Sequence, residues 1–86
     1  MRKQVGEQDI ELIFAGVKAH LYMTLEKKGY GAFTSRHEIL GCVTEEYIEL
    51  VDAVRDGLQK DVNNELLDVA VSAIWGLVSN RVGVDW

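Results

Sequence analysis

Apolar positions along the chain recur at helical spacing in three segments. The first spans about residues 8–28. Ile10, Phe14, Val17, Leu21 and Leu25 fall three or four apart, with Ile13 beside them, which is one face of a helix. Glu26, Lys27 and Lys28 close it, and Gly29 suits a left-handed cap. Two glycines in three residues then make a loop of residues 29–34. Ser35 and Glu38 fit a capping box and open a second helix, predicted over about residues 35–58. Its expected core stripe is Leu40, Val43, Tyr47, Leu50 and Val54, with Val51 and Leu58 adjacent, and residues 57–60 are read as a turn. The third helix is predicted over about residues 62–80. Its apolar positions, Leu66 through Val78, cover roughly 200° of the circumference at about 100° per residue. A helix packed on one side needs little more than about 100°. This one needs cover on two sides, so the pattern predicts an all-α helical bundle completed by homo-oligomerisation. The tail, residues 81–86, has little periodicity and is expected to be irregular, with Trp86 docked on the body or on a partner. The β-branched residues at 69–71 are too few to argue for a strand.

At 86 residues the chain has room for one domain, 1–86, and a lone domain of this size is marginally stable. Net charge is −5, which weighs against nucleic acid or an anionic membrane as the main partner. No run of about 18 apolar residues exists to span a bilayer. The polar residues 1–9 offer no signal-peptide core, and a single cysteine allows neither an internal disulfide nor a Cys-based zinc site. A reducing, cytoplasmic setting is the expectation.

The chemistry lies in two acidic groups. Residues 45–49 read EExxE, and residues 65–68 read ExxD. Side chains three or four apart share a helix face, so Glu46 pairs with Glu49 and Glu65 with Asp68. Glu46 and Glu49 sit on a stripe with Ile39, Cys42 and Ala53, flanking the expected core stripe. Glu65 and Asp68 sit on a strip with Asp61, Ser72 and Ser79, the polar strip of an otherwise apolar helix. Either pair alone is ordinary for a solvated helix. An antiparallel hairpin would turn both to one groove, where like charges raise each other's pKa unless a cation intervenes. Four carboxylates suit Mg²⁺, or Mn²⁺, both of which take oxygen ligands octahedrally.

EExxE, fifteen residues, then ExxD resembles the signature of the MazG-like, all-α nucleoside triphosphate pyrophosphatases, with residues 36–80 covered. The resemblance implies a helical bundle working as a homodimer or homotetramer. It implies Mg²⁺-dependent hydrolysis of a nucleoside or deoxynucleoside triphosphate to the monophosphate and pyrophosphate. By motif position Glu46, Glu49, Glu65 and Asp68 would be the metal ligands, and Glu45 a further acid that holds a second metal or orients water. Glu45 or Glu46 would position or deprotonate the water that attacks the α-phosphorus.

Substrate contacts are expected from Arg36 and His37, where the helix dipole also favours anions. Both lie roughly 13–15 Å along the helix from Glu46, so the ligand would have to lie along it. Lys18 and Arg81 are alternatives, and Trp75 could stack on a nucleobase, with Tyr22, Tyr30 and Phe33 near the first loop. The plainer readings are an exposed His37 and a Trp75 that fills a core or interface. His20 reads as structural or exposed, Cys42 as a small core residue, and Asn80 as part of a helix end. Two other functions fit the same pattern. One is a non-catalytic helical oligomerisation or binding module. The other, within the resembling superfamily, is phosphoribosyl-ATP pyrophosphohydrolase.

Overall fold

The computed structural model describes residues 1–84. Three helices follow one another: α1, Glu7–Lys28; α2, Arg36–Asp56; and α3, Gln59–Val82. There is no β-strand among the described residues. No helix among them is long and apolar enough to cross a membrane. The Trp86 expectation lies outside the described residues.

The helix ends follow local chemistry. Ser35 Oγ accepts the Glu38 N–H at 3.2 Å, as the capping box requires. The Glu38 carboxylate, however, accepts from the Thr34 N–H at 2.7 Å, one residue earlier than the box predicts. Asp61 accepts the Leu58 N–H, so the polar residues 59–61, which carry no apolar period, already form the first turn of α3. The turn between α2 and α3 is therefore only Gly57 and Leu58, shorter than expected. Gly29 has positive φ but extended ψ, outside the left-handed helical region predicted for it. Gly83 occupies that region instead, and α3 runs to Val82, two residues past its predicted end at Asn80.

α3 is the central helix. α2 returns along it antiparallel, and α1 lies beside it in the same direction, while α1 and α2 do not pack on each other. The loop before α2 is pinned to α3. Trp75 Nε1–H donates to Gly31 O and the Phe33 N–H to Ser79 Oγ, each at 3.0 Å, and the Phe33 and Trp75 rings lie 5.0 Å apart.

The inward faces differ from those the pattern predicts. On α2, Leu40, Tyr47 and Val54 are exposed. Ile39, Cys42, Glu46 and Ala53, the stripe expected only to flank the core, are half-buried with Val43 and Leu50. On α3 the polar strip points inward: Ser72, Gly76 and Ser79 are buried with Val71, and Ser79 is only 1% exposed. Small side chains let the helices approach closely. A Cβ on Gly76 would stand 2.8 Å from Ile39 Cγ2. On α1 only Val17 is buried, and Ile10, Ile13 and Phe14 of the expected core face are exposed.

Candidate metal centre

Antiparallel pairing puts Glu46 and Glu49 of α2 against Glu65 and Asp68 of α3, in the register that two turns further on sets Ile39 against Gly76. One oxygen from each of the four carboxylates lies within 4.8 Å of all the others. Glu46, Glu65 and Asp68 are half-buried and Glu49 is exposed, so the cluster has a dry floor and an open side. The four residues expected as ligands are thus brought together.

The electrostatics of this cluster are unfavourable by themselves. Glu46 Oε2 and Glu65 Oε2 are shut off from solvent and have no hydrogen-bond partner. Burial, then the charges of Glu49 and Asp68, push the Glu46 carboxyl up to about 7. Glu65 is raised as well, by burial first and then by Glu49 and Asp68. Buried oxygen acceptors without donors carry a desolvation penalty that a positive charge removes. The donor set is entirely carboxylate oxygen, from residues already gathered, and this fits a hard divalent cation of the Mg²⁺ or Mn²⁺ kind.

A groove of about 270 Å³ opens beside the cluster. Glu46 and Asp68 line its acidic end, His20, Thr24, Lys27 and Lys28 its α1 side, and Trp75 its far wall. Lys27 and Lys28 end α1, where cations are favoured by the helix dipole. Trp75 also lines a second, smaller apolar pocket with Leu21, Leu25 and Tyr30, so it separates the two spaces.

The remaining sequence expectations fare differently. Glu45 is exposed and is not among the four clustered acids. Arg36 and His37 are exposed at the start of α2, and Arg81 is exposed in the last turn of α3. In an antiparallel hairpin these three share the end remote from the cluster, about 13–20 Å along the helices. Lys18 is exposed on α1 and does not line the groove. The basic residues that do line it are Lys27 and Lys28, whose place in the sequence marks only the end of α1.

His20, expected to be structural or exposed, is half-buried and lines the groove. Its Nε2 lies 3.0 Å from Asp68 Oδ1. The available signal was its place one turn after Val17, on the inward face of α1. Cys42 also lines the groove, and burial followed by the Glu46 charge raises its thiol pKa, which keeps it protonated and a poor nucleophile.

A scan of protein-family models, a search of curated proteins and a search of solved structures each returned no match to this chain.

Proposed function

We propose that this chain is a Mg²⁺-dependent nucleoside triphosphate pyrophosphohydrolase that acts as a homo-oligomer. The observation that carries the reading is the meeting of Glu46, Glu49, Glu65 and Asp68, with two buried carboxylate oxygens left without donors. The resemblance of the EExxE and ExxD motifs, which carry the same four acids, to the MazG-like enzymes also supports it.

Glu46, Glu49, Glu65 and Asp68 would hold the cation. When bound, it supplies neutralisation of phosphate oxygens and a more acidic water. The chain's own groups do the rest. Lys27 and Lys28 line the same groove as Glu46 and Asp68 and would draw the phosphate chain along it, in place of the exposed Arg36, His37, Lys18 and Arg81, which do not line it. Trp75 offers an aromatic wall to the nucleoside end. The Glu46 carboxylate would accept the proton of the attacking water, in preference to Glu45 outside the cluster. The half-buried walls limit access of further water. A reduced, cytoplasmic setting suits Cys42 at the groove wall.

The test is release of pyrophosphate from a panel of canonical and modified nucleoside and deoxynucleoside triphosphates, with phosphoribosyl-ATP included, in Mg²⁺. Turnover of at least one triphosphate, abolished by EDTA, is expected. A specific observation favours a second reading, a purely self-associating helical module: Leu12, Ile13, Phe14, Tyr47 and Leu77 are all more than half exposed. That reading requires no turnover and no thermal stabilisation by Mg²⁺ or Mn²⁺.

A further inference from the structure

We infer that His20 is a positioning residue for the acidic centre, holding Asp68 so that its second carboxylate oxygen is presented to a divalent cation. This rests on the reading of the four acids as a cation site. The contact joins residues 48 apart in sequence, on α1 and α3. A carboxylate oxygen accepts and an imidazole N–H donates, so with a proton on Nε2 the ring donates to Asp68 Oδ1 at 3.0 Å. Oδ2 is then the oxygen left for ligation.

Three further observations separate this from an incidental contact. Among the described residues, Asp68 is the one member of the cluster whose carboxylate accepts a hydrogen bond from a nitrogen donor, while Glu46 Oε2 and Glu65 Oε2 have no partner. The histidine side chain is 37% exposed, so it does not fill a core. It lines the same groove as Glu46 and Asp68, facing the chemistry and not the opposite surface of α1. The terminal torsion of an aspartate is broad, so without a donor the carboxylate is free to rotate. Partners of this kind typically change metal affinity by about 10–100-fold. A consequence for the architecture is that α1, which supplies none of the four acids, still acts on the centre.

The experiment uses the full chain and Mn²⁺ alone, with free Mn²⁺ counted by electron paramagnetic resonance. H20L removes the donor and keeps bulk. H20Q keeps an N–H near the Nε2 position. Metal-free melting, followed by circular dichroism, reports the fold of each. The expected result is a loss of about tenfold or more in Mn²⁺ affinity for H20L. H20Q is expected to recover most of that loss, and all the chains to melt within a few degrees of one another. Should H20L not fold, H20N takes its place, because its shorter amide cannot reach Asp68. Undiminished affinity in the donor-less variant overturns the inference, as does an H20Q that binds no better than it. A wild-type chain that binds no Mn²⁺ overturns the cation site itself and this inference with it, and that outcome is distinct from the other two.

Discussion

Glu46 concentrates the conflict in this site. Its carboxyl is raised from an ordinary 4.5 to about 7 by burial and by Glu49 and Asp68, so the folded chain holds this proton more tightly than the unfolded chain does. Stability is then greatest below about pH 4.5 and falls as pH rises towards 7. Glu65 is shifted in the same direction and adds to the slope. The metal-free protein should therefore melt at a higher temperature at pH 5 than at pH 7.5. Mg²⁺ should reverse the order, because it binds the deprotonated acids and stabilises only the folded state. Differential scanning fluorimetry at the two pH values, with and without Mg²⁺, checks both signs, and a metal-free melting temperature that rises over this interval contradicts the account. Glu49 is the largest charge acting on both raised acids. Glu49→Gln should raise the metal-free melting temperature at pH 7.5 and lower pyrophosphate release on the order of 100-fold or more, through loss of a ligand. Asp68→Asn should lose activity similarly. Stabilisation together with inactivation separates a functional acid from a merely solvating one.

The hairpin of α2 and α3 is what turns two unremarkable acidic pairs into a centre, and its register depends on small residues. Gly76 accommodates Ile39, and Ser72 and Ser79 are buried on the same strip. Gly76→Ala gains about 1 kcal/mol in helix propensity but drives a Cβ to 2.8 Å from Ile39 Cγ2, and overpacking of this kind costs about 1–3 kcal/mol. The expected balance is a loss of about 1 kcal/mol, read as a drop of roughly 4–8 °C in melting temperature. Adding Ile39→Leu, which lacks Cγ2, should recover much of it; a double variant as unstable as the single one would place the strain elsewhere. This packing also shows what the sequence could reveal. Three helices, their approximate ends and the two acidic pairs were legible, because period and i,i+3 spacing are local properties, whereas the meeting of the pairs followed only if α2 and α3 form an antiparallel hairpin. The inward faces were not. Hydrophobicity pointed to Leu40, Tyr47 and Val54 as the core of α2, yet close approach favours the neighbouring stripe, where Ile39 meets a glycine and the acids meet each other. His20, Lys27 and Lys28 were equally hidden, since their place in the groove depends on how α1 crosses α3.

The surface of the molecule is too large for its mass. A compact 9.7 kDa chain exposes about 5,100 Å², whereas this one exposes 7003 Å². Its radius of gyration is 14.4 Å, against about 12 Å for a compact domain of this length. The non-helical, exposed residues 1–6 account for part of the excess, and apolar helix faces for much of the rest. An excess of about 1,900 Å² is close to what each subunit of an obligate homodimer buries. The α1–α3 seam gives this area a location. Leu12, Ile13 and Gly16 of α1, with Leu66, Leu67 and Ala70 of α3, line an apolar groove of about 440 Å³. A Cβ on Gly16 would touch nothing within the chain, so the place where a second copy could approach most closely is open. In the proposed homo-oligomer, a second copy laid in this groove would complete the bundle. Sedimentation of the wild-type chain at micromolar concentration should therefore give a dimer or larger species. Ile13→Glu should give a monomer of lower melting temperature, because Ile13 is 67% exposed in the single chain and a charge there falls chiefly on contacts between copies. A wild-type chain that sediments as a stable monomer refutes this. The four acids and His20 all belong to one chain, so an Ile13→Glu chain that still folds should keep its Mn²⁺ affinity. Loss of that affinity on dissociation would instead mean that the second copy holds the α2–α3 register in place.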